Sequence, residues 1–195
     1  LSESSMVYAT ISKGWRSGGF NKLKAAGDPT DFSIEYEEEE LWSYEIGYKS
    51  TFNDGRGKLN AAVFYQDIEN HQAFAFQPSL GGQVVFNIPE GEISGLELDL
   101  SHSFDGGWDL GLSAGFLDSE ITEFDGLAVG FGRPMTAASG EPVEGAKFPN
   151  VDHRQINIYA QHSAETDFGS LISRVDYVVN DDKPALAPLK TYRPS

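Results

Sequence analysis

Apolar and polar residues alternate with period two over several long stretches of the chain, most clearly through residues 41–68. Trp42, Tyr44, Ile46, Tyr48 and Phe52 fall on one face, with Ser50 as the exception. Ser43, Glu45, Gly47, Lys49 and Thr51 fall on the other. Downstream, Leu59, Ala61, Val63 and Tyr65 alternate with Asn60, Ala62, Phe64 and Gln66. Such alternation predicts strands with one apolar and one wet face. Between them, Asn53-Asp54-Gly55-Arg56 predicts a tight hairpin turn, since Gly accepts a positive φ without steric cost. At roughly 3.3 Å per residue, residues 41–52 extend about 40 Å. Tilted by about 45°, that length covers the ~30 Å hydrocarbon core of a bilayer. A long hairpin in a soluble sandwich would show the same pattern.

Residues 6–13 form a β-rich run that stops at Gly14, and 15–40 read as an irregular segment. Residues 69–82 read as a loop containing Pro78 and Gly81-Gly82. Residues 84–104 read as one strand with a bulge or bend near Pro89, where a missing N–H is tolerable. There Leu96, Leu98, Leu100 and Phe104 oppose Gly95, Glu97, Asp99 and Ser101. Asp105-Gly106-Gly107 is a second tight turn, after which Trp108, Leu110, Leu112, Ala114 and Phe116 alternate with Asp109, Gly111, Ser113 and Gly115. The longest irregular segment covers 123–152. Ile156, Ile158 and Ala160 mark a strand over 154–162, and a short turn near 164–169 leads to Leu171, Val175, Tyr177 and Val179.

Short turns and long connections thus alternate, with long ones at 15–40, 69–82 and 123–152 and another beginning at Asn180. In an up-and-down meander this gathers every long connection at one end. Outer-membrane barrels have that asymmetry, and a soluble meander has no physical reason for it. Seven strands is an odd number, whereas bacterial single-chain barrels close with even numbers, and open edges cannot face lipid. The expected fold is therefore all-β: an antiparallel, up-and-down transmembrane β-barrel segment. Residues 1–195 would form a partial barrel domain, with further strands on both sides.

Composition leaves that reading standing. Of 195 residues, 39% are hydrophobic and none is Cys, so disulfide scaffolds and thiolate metal sites are excluded. No run approaches the ~18 apolar residues of a membrane helix. The net charge of −16 would repel a phosphate backbone, so nucleic acid is not an expected partner. The acid is spread through turns and loops, with one concentrated run at Glu37-Glu38-Glu39-Glu40, which reads as a solvated loop end. The polar start Leu1-Ser2-Glu3-Ser4-Ser5 is not a signal peptide and is read as following a missing beginning.

Several motifs carry a family resemblance. Residues 8–21, Tyr-Ala-Thr-Ile-Ser-Lys-Gly-Trp-Arg-Ser-Gly-Gly-Phe-Asn, resemble the YASYSKGFKSGGFN stretch of TonB-dependent outer-membrane receptors, particularly those for siderophores. Residues 42–50, Trp-Ser-Tyr-Glu-Ile-Gly-Tyr-Lys-Ser, and 59–65, Leu-Asn-Ala-Ala-Val-Phe-Tyr, are similar to the family in the same order. Gly95-Leu96-Glu97-Leu98-Asp99-Leu100 resembles its GLELEL strand, and Phe148-Pro149-Asn150 its LPN loop end. The ordered matches cover residues 6–177. The resemblance implies a 22-stranded barrel in the outer membrane of a Gram-negative bacterium, with an N-terminal plug and energy from the TonB–ExbB–ExbD system. It implies import of a ferric siderophore first, with cobalamin and sugars as the other cargoes. The plug, the TonB box and the closing strand with its terminal aromatic residue are absent from this sequence. A passive porin-like channel and a soluble all-β carbohydrate-binding domain remain as alternatives.

No enzyme constellation emerges, and no cofactor is expected. His71, His102, His153 and His162 lie on different strands or loops, and no Gly-x-Ser-x-Gly elbow supports a triad. Asp118, Glu120, Glu123 and Asp125 have a loose calcium-like spacing but lack the EF-hand pattern, which suits a solvated rim. Glu45, Lys49, Asn60, Gln66, Glu97, Asp99, Gln155, Asn157, Arg174 and Asp176 share the polar phase. In a barrel they would face the lumen and the plug. Trp42, Tyr44, Trp108 and Tyr177 sit towards strand ends on the apolar face, as interfacial girdles do. Ligand contacts are expected from the long-connection end: Trp15, Arg16, Phe20, Asn21, Phe74, Phe76, Phe131 and Arg133. Aromatic and guanidinium groups suit an anionic, ring-containing chelate. The alternative for residues 15–21 is that they fix the exit of the connection from its strand.

Overall fold

The computed structural model describes residues 4–21, 35–77, 82–124, 135–137, 144–148, 151–181 and 186–188. Its elements in chain order are β1 (Ser5–Arg16), β2 (Gly19–Phe20), β3 (Glu35–Tyr36), β4 (Glu39–Phe52), β5 (Gly57–Gln77), β6 (Gly82–Phe104), β7 (Trp108–Glu123), β8 (Met135–Ala137), β9 (Arg154–Thr166), β10 (Gly169–Asn180) and β11 (Leu186–Pro188). Seven of these build one antiparallel sheet in the order β1-β4-β5-β6-β7-β9-β10. Each long strand pairs with the next long strand in the chain, as expected of a meander. β2 pairs with β3, and β8 with β11, outside that sheet.

Register turns the alternation into two faces. Across β1, β4, β5 and β6, one rung runs Ala9–Ile46–Val63–Leu96, and the next outward rung runs Val7–Tyr48–Ala61–Leu98. β7, β9 and β10 continue the same belt through Leu112, Ile158 and Tyr177. Nothing among the described residues packs on this belt: Ile46 is 62% exposed, Val63 60% and Val175 73%. A contiguous apolar surface of this extent needs an apolar solvent or a second layer. A soluble sandwich would supply a second sheet here, and the described residues form none.

Aromatic residues border the belt. Trp42 stacks on Tyr44 at 6.4 Å, and Tyr44 faces Tyr65 at 6.4 Å. At the other edge, His102 lies 5.8 Å from Phe52 and 4.3 Å from Phe104, and Trp108 lies 4.5 Å from His162. From Trp42 to Phe52 the strand is about 33 Å long. At a tilt near 40° that is about 25 Å of height, the apolar band of an outer-membrane barrel. Tyr177 differs from expectation: it pairs with Ile158, inside the belt rather than at its border.

The short turns form as their residues dictate. Asn53, Asp54 and Gly55 all have positive φ (50°, 55° and 83°), which Asn and Asp tolerate better than other side-chain-bearing residues. Gly106 and Gly107 do the same at the β6–β7 turn. Residues 69–77 correct the sequence reading. They are strand, not loop: β5 runs 21 residues and β6 23, and they stay paired up to Gln77 and Gly82, while residues 78–81 lie outside the described residues. Asn70, at φ 54°, lies opposite Pro89, which has no N–H to give to the ladder. Pairing resumes beyond them at His71 and Ile88, and Asn87 Nδ2 donates to the freed Asn70 carbonyl at 2.7 Å. The irregularity expected near Pro89 appears as a register shift against β7 between Glu90 and Gly91.

Candidate functional site

Above the Trp42–Tyr65 border, the β5–β6 hairpin continues past the belt and is dressed by the connections around it. Here alone, among the described residues, the protein has a dry core: Ile68, Ala73, Phe86, Ile88, Ile121 and Phe148 are buried, with Leu41 and Ile93 packed against them. Phe148 seats its ring over Gly91, where a Cβ would collide with it. The Phe148 N–H donates to Ser119 Oγ at 3.2 Å. Ile121 extends the ladder to Ala146 and Gly145, both at 2.8 Å. The β7–β9 connection is thus sewn to one side of the hairpin.

The β1–β4 connection is sewn to it by side-chain amides. Asn21 acts as one extra rung of sheet: its Nδ2 donates to the Val85 carbonyl and its Oδ1 accepts from the Val85 N–H, each at 2.8 Å. Buried Gln72 donates to the carbonyls of Ser17 and Glu37, both at 3.0 Å. Asn87 accepts from the Glu37 N–H at 2.8 Å. The Glu39 carboxylate, only 14% exposed, takes the Gln72 N–H at 2.7 Å, His71 Nδ1 at 3.0 Å and Arg16 at 3.4 Å. Burial holds the His71 imidazole below its ordinary pKa, outweighing the pull of Glu39. The run 37–40 is therefore more than a solvated loop end. Glu39 anchors it, and Glu40 pairs with Lys13 at 2.7 Å.

The expected ligand residues divide. Trp15 shares a rung with Glu40 on the outward side, in phase with Ile11 and Lys13, so it is turned away from the inner face. Arg16 is held by Glu39, and Asn21 by Val85. Phe20 and Phe74 are both 66% exposed at the long-connection end. The Phe76 backbone pairs with Gln83 in the same hairpin. Phe131, Arg133 and Asp125 lie outside the described residues. Asp118 pairs with Lys147 at 3.3 Å. No group of three His, Asp or Glu side chains among the described residues is placed to hold a metal. Glu39, His71, Gln72 and Asn87 were not singled out as site residues. The available signal was isoleucine in the polar phase at strand ends (Ile68, Ile93, Ile121), which marks a buried patch on an otherwise wet face.

The ten polar residues, Glu45, Lys49, Asn60, Gln66, Glu97, Asp99, Gln155, Asn157, Arg174 and Asp176, share the face opposite the belt. One rung reads Lys49–Asn60–Asp99–Ser113–Asn157. On this face the Tyr8 hydroxyl donates to Glu45 at 2.6 Å, with Lys49 over its ring at 5.3 Å. Arg174 binds Asp176 at 2.7 Å and lies 4.1 Å over Tyr159. A polar cavity of about 340 Å³ opens between Glu97, Asp99, Ser113, Gln155 and Asn157. A second, of about 280 Å³, is lined by Met6, Lys49, Thr51, Lys58 and Asn60. On the outward face, Leu100, Leu110, Leu112, Ile158, Val175 and Tyr177 border an apolar groove of about 460 Å³.

Known proteins share this fold. Residues 1–193 match the family model described as TonB dependent receptor-like, beta-barrel. The pesticin receptor of Yersinia enterocolitica is 27% identical over 123 residues, 63% of this chain and 17% of the receptor. The ferric yersiniabactin uptake receptor FyuA of Yersinia pestis superposes with a TM-score of 0.65 at 21% identity, over 92% of this chain and 24% of that one. The ferric preacinetobactin receptor BauA of Acinetobacter baumannii gives 0.58 at 16% identity, over 91% and 24%. The chain thus spans less than a quarter of the length of each of these relatives.

Proposed function

Since the chain belongs to the TonB-dependent receptor family, as a stretch of β-barrel wall in the Gram-negative outer membrane, we propose that it serves TonB-energised uptake of a ferric siderophore. The observation that carries this is the segregation of the sheet. A lipid-facing belt is backed by a wet face, and both lead at one end to a hairpin platform braced by Glu39, Gln72, Asn87 and Phe148.

In this reading the platform holds the ligand-capturing connections in place outside the membrane. Phe20 and Phe74 stand exposed there, where rings can stack on a chelate. Arg16, tied to Glu39, is not free to close on a ligand. The inner face meets a plug domain lying elsewhere in the polypeptide, and energy transmitted through TonB moves that plug to open the path. Support for iron as cargo comes from the names of the ferric yersiniabactin and ferric preacinetobactin receptors.

The test is uptake of radio-iron, supplied as a panel of purified ferric siderophores, by cells that depend on the full-length receptor for iron. Uptake of one chelate that stops when TonB is deleted supports the proposal. Uptake that continues without TonB, at a rate linear in concentration, would make the protein a passive channel.

A further inference from the structure

His71 stands where the two connections that dress the hairpin meet. On one side its Nδ1 lies 3.0 Å from the Glu39 carboxylate, at the end of the β1–β4 connection. On the other, its ring meets that of Phe148, from the β7–β9 connection, edge to face, with centroids 5.0 Å apart and planes at 90°. The next residue, Gln72, ties its side chain to the Ser17 and Glu37 carbonyls of the first connection. The second connection is tied to β7 through the Phe148 N–H on Ser119 and the Gly145 N–H on Ile121.

The two contacts of His71 are not independent. An edge-to-face pair depends on the orientation of both rings, and the bond from Nδ1 to Glu39 fixes the orientation of the imidazole. Removing Glu39 frees that ring to swing out and strips one wall from Phe148, which is only 2% exposed. The converse also holds. The Glu39 and His71 side chains are 14% and 27% exposed, and the Phe148 ring supplies part of that cover. Withdrawing Phe148 admits water to the pair, and in water such a pair contributes little.

We propose that His71 couples the two connections, so that loosening either one from the hairpin loosens the other. His71 is then a positioning residue for both. The coupling is reciprocal, with the same factor acting in each direction. It is carried by one side chain with two discrete arrangements, ring held or ring swung out. Coupling of this kind goes beyond the uptake proposed above and holds for any cargo, so its failure leaves that proposal standing. Within that reading, a ligand that orders one connection makes the other easier to order.

The test is amide hydrogen exchange, read by mass spectrometry on the full-length receptor in detergent. Heat-modifiable mobility on a gel selects the variants that fold. Glu39→Ala should speed exchange about five-fold over residues 144–148, whose Gly145 and Phe148 amides are bonded to β7. Phe148→Leu, which keeps apolar bulk without the ring, should speed exchange of the Glu37 amide, held by Asn87 Oδ1, by the same factor. His71→Phe keeps a ring against Phe148 but has no nitrogen for Glu39. In that background neither substitution should act on the opposite connection. Exchange over belt residues 59–65 should stay unchanged throughout. Acceleration that persists in His71→Phe would place the coupling in the shared apolar core and overturn the proposal. Unaltered exchange at 144–148 in Glu39→Ala, or acceleration that extends into the belt, would overturn it as well.

Discussion

The Glu39 carboxylate at the start of β4 lies 3.0 Å from Nδ1 of His71 on β5, just above the aromatic border of the belt. This pair is the joint between the first long connection and the projecting hairpin. The same carboxylate also takes the Gln72 N–H at 2.7 Å. Replacing Glu39 with Ala leaves a buried N–H without an acceptor, a cost of about 1–3 kcal/mol. Hydrogen exchange at the Gln72 amide should accelerate accordingly, while Glu39→Gln, which keeps an acceptor oxygen, should restore most of the protection.

The joint should also respond to pH. Because burial lowers the His71 pKa below 6.5, the folded joint favours the neutral imidazole. Its contribution is complete above pH 6.5 and is lost as the pH falls through the lower folded value. Protease nicking of the β1–β4 connection should therefore rise on acidification from pH 8 to 5. The variant His71→Gln should show a flat profile.

Tyr8 lies across Gly47 on the neighbouring strand, where any Cβ would collide with its ring. That contact places the phenol for its 2.6 Å bond to Glu45. Gly47→Val should displace the ring and cost about 1–3 kcal/mol through overpacking, read as a lower urea midpoint in lipid vesicles. Adding Tyr8→Ala should recover part of that loss, because the obstruction is then gone.

Adjacent positions on β5 should differ sharply. Val63→Arg puts a charge in the outward belt and should cost about 2–4 kcal/mol of folding stability in a bilayer. Ala62→Arg, one residue away on the wet face, should cost much less. Folded fraction by heat-modifiable mobility on a gel distinguishes the two.

The faces and short turns were legible because lipid on one side and water on the other impose strict period two, and because Asn-Asp-Gly and Asp-Gly-Gly encode positive φ. Legibility ended where the bilayer ends. Beyond Asp67 both sides of the hairpin meet protein or water, so nothing enforces alternation. The polar run Glu69-Asn70-His71 then resembled a loop, although Asn70 and Asn87 carry the ladder past Pro89. The platform core was hidden for a related reason. Ile88, Ile121 and Phe148 lie far apart in sequence and meet only through the β5–β6–β7 register and the returning β7–β9 connection. Glu39 was hidden inside a run of four glutamates, where sequence alone does not mark the one that is buried.

The central claim is that this sheet is a membrane wall with its belt facing lipid. The most direct test is spin-label accessibility at Ala61, Ala62, Val63 and Phe64, each replaced singly by Cys. The stretch has no native cysteine to interfere. In the full-length receptor in vesicles, with any cysteines elsewhere replaced, labels at 61 and 63 should collide with oxygen and be shielded from a water-soluble nickel chelate. Labels at 62 and 64 should show no lipid exposure. All four labels reporting water, or the two pairs exchanging behaviour, would contradict the account.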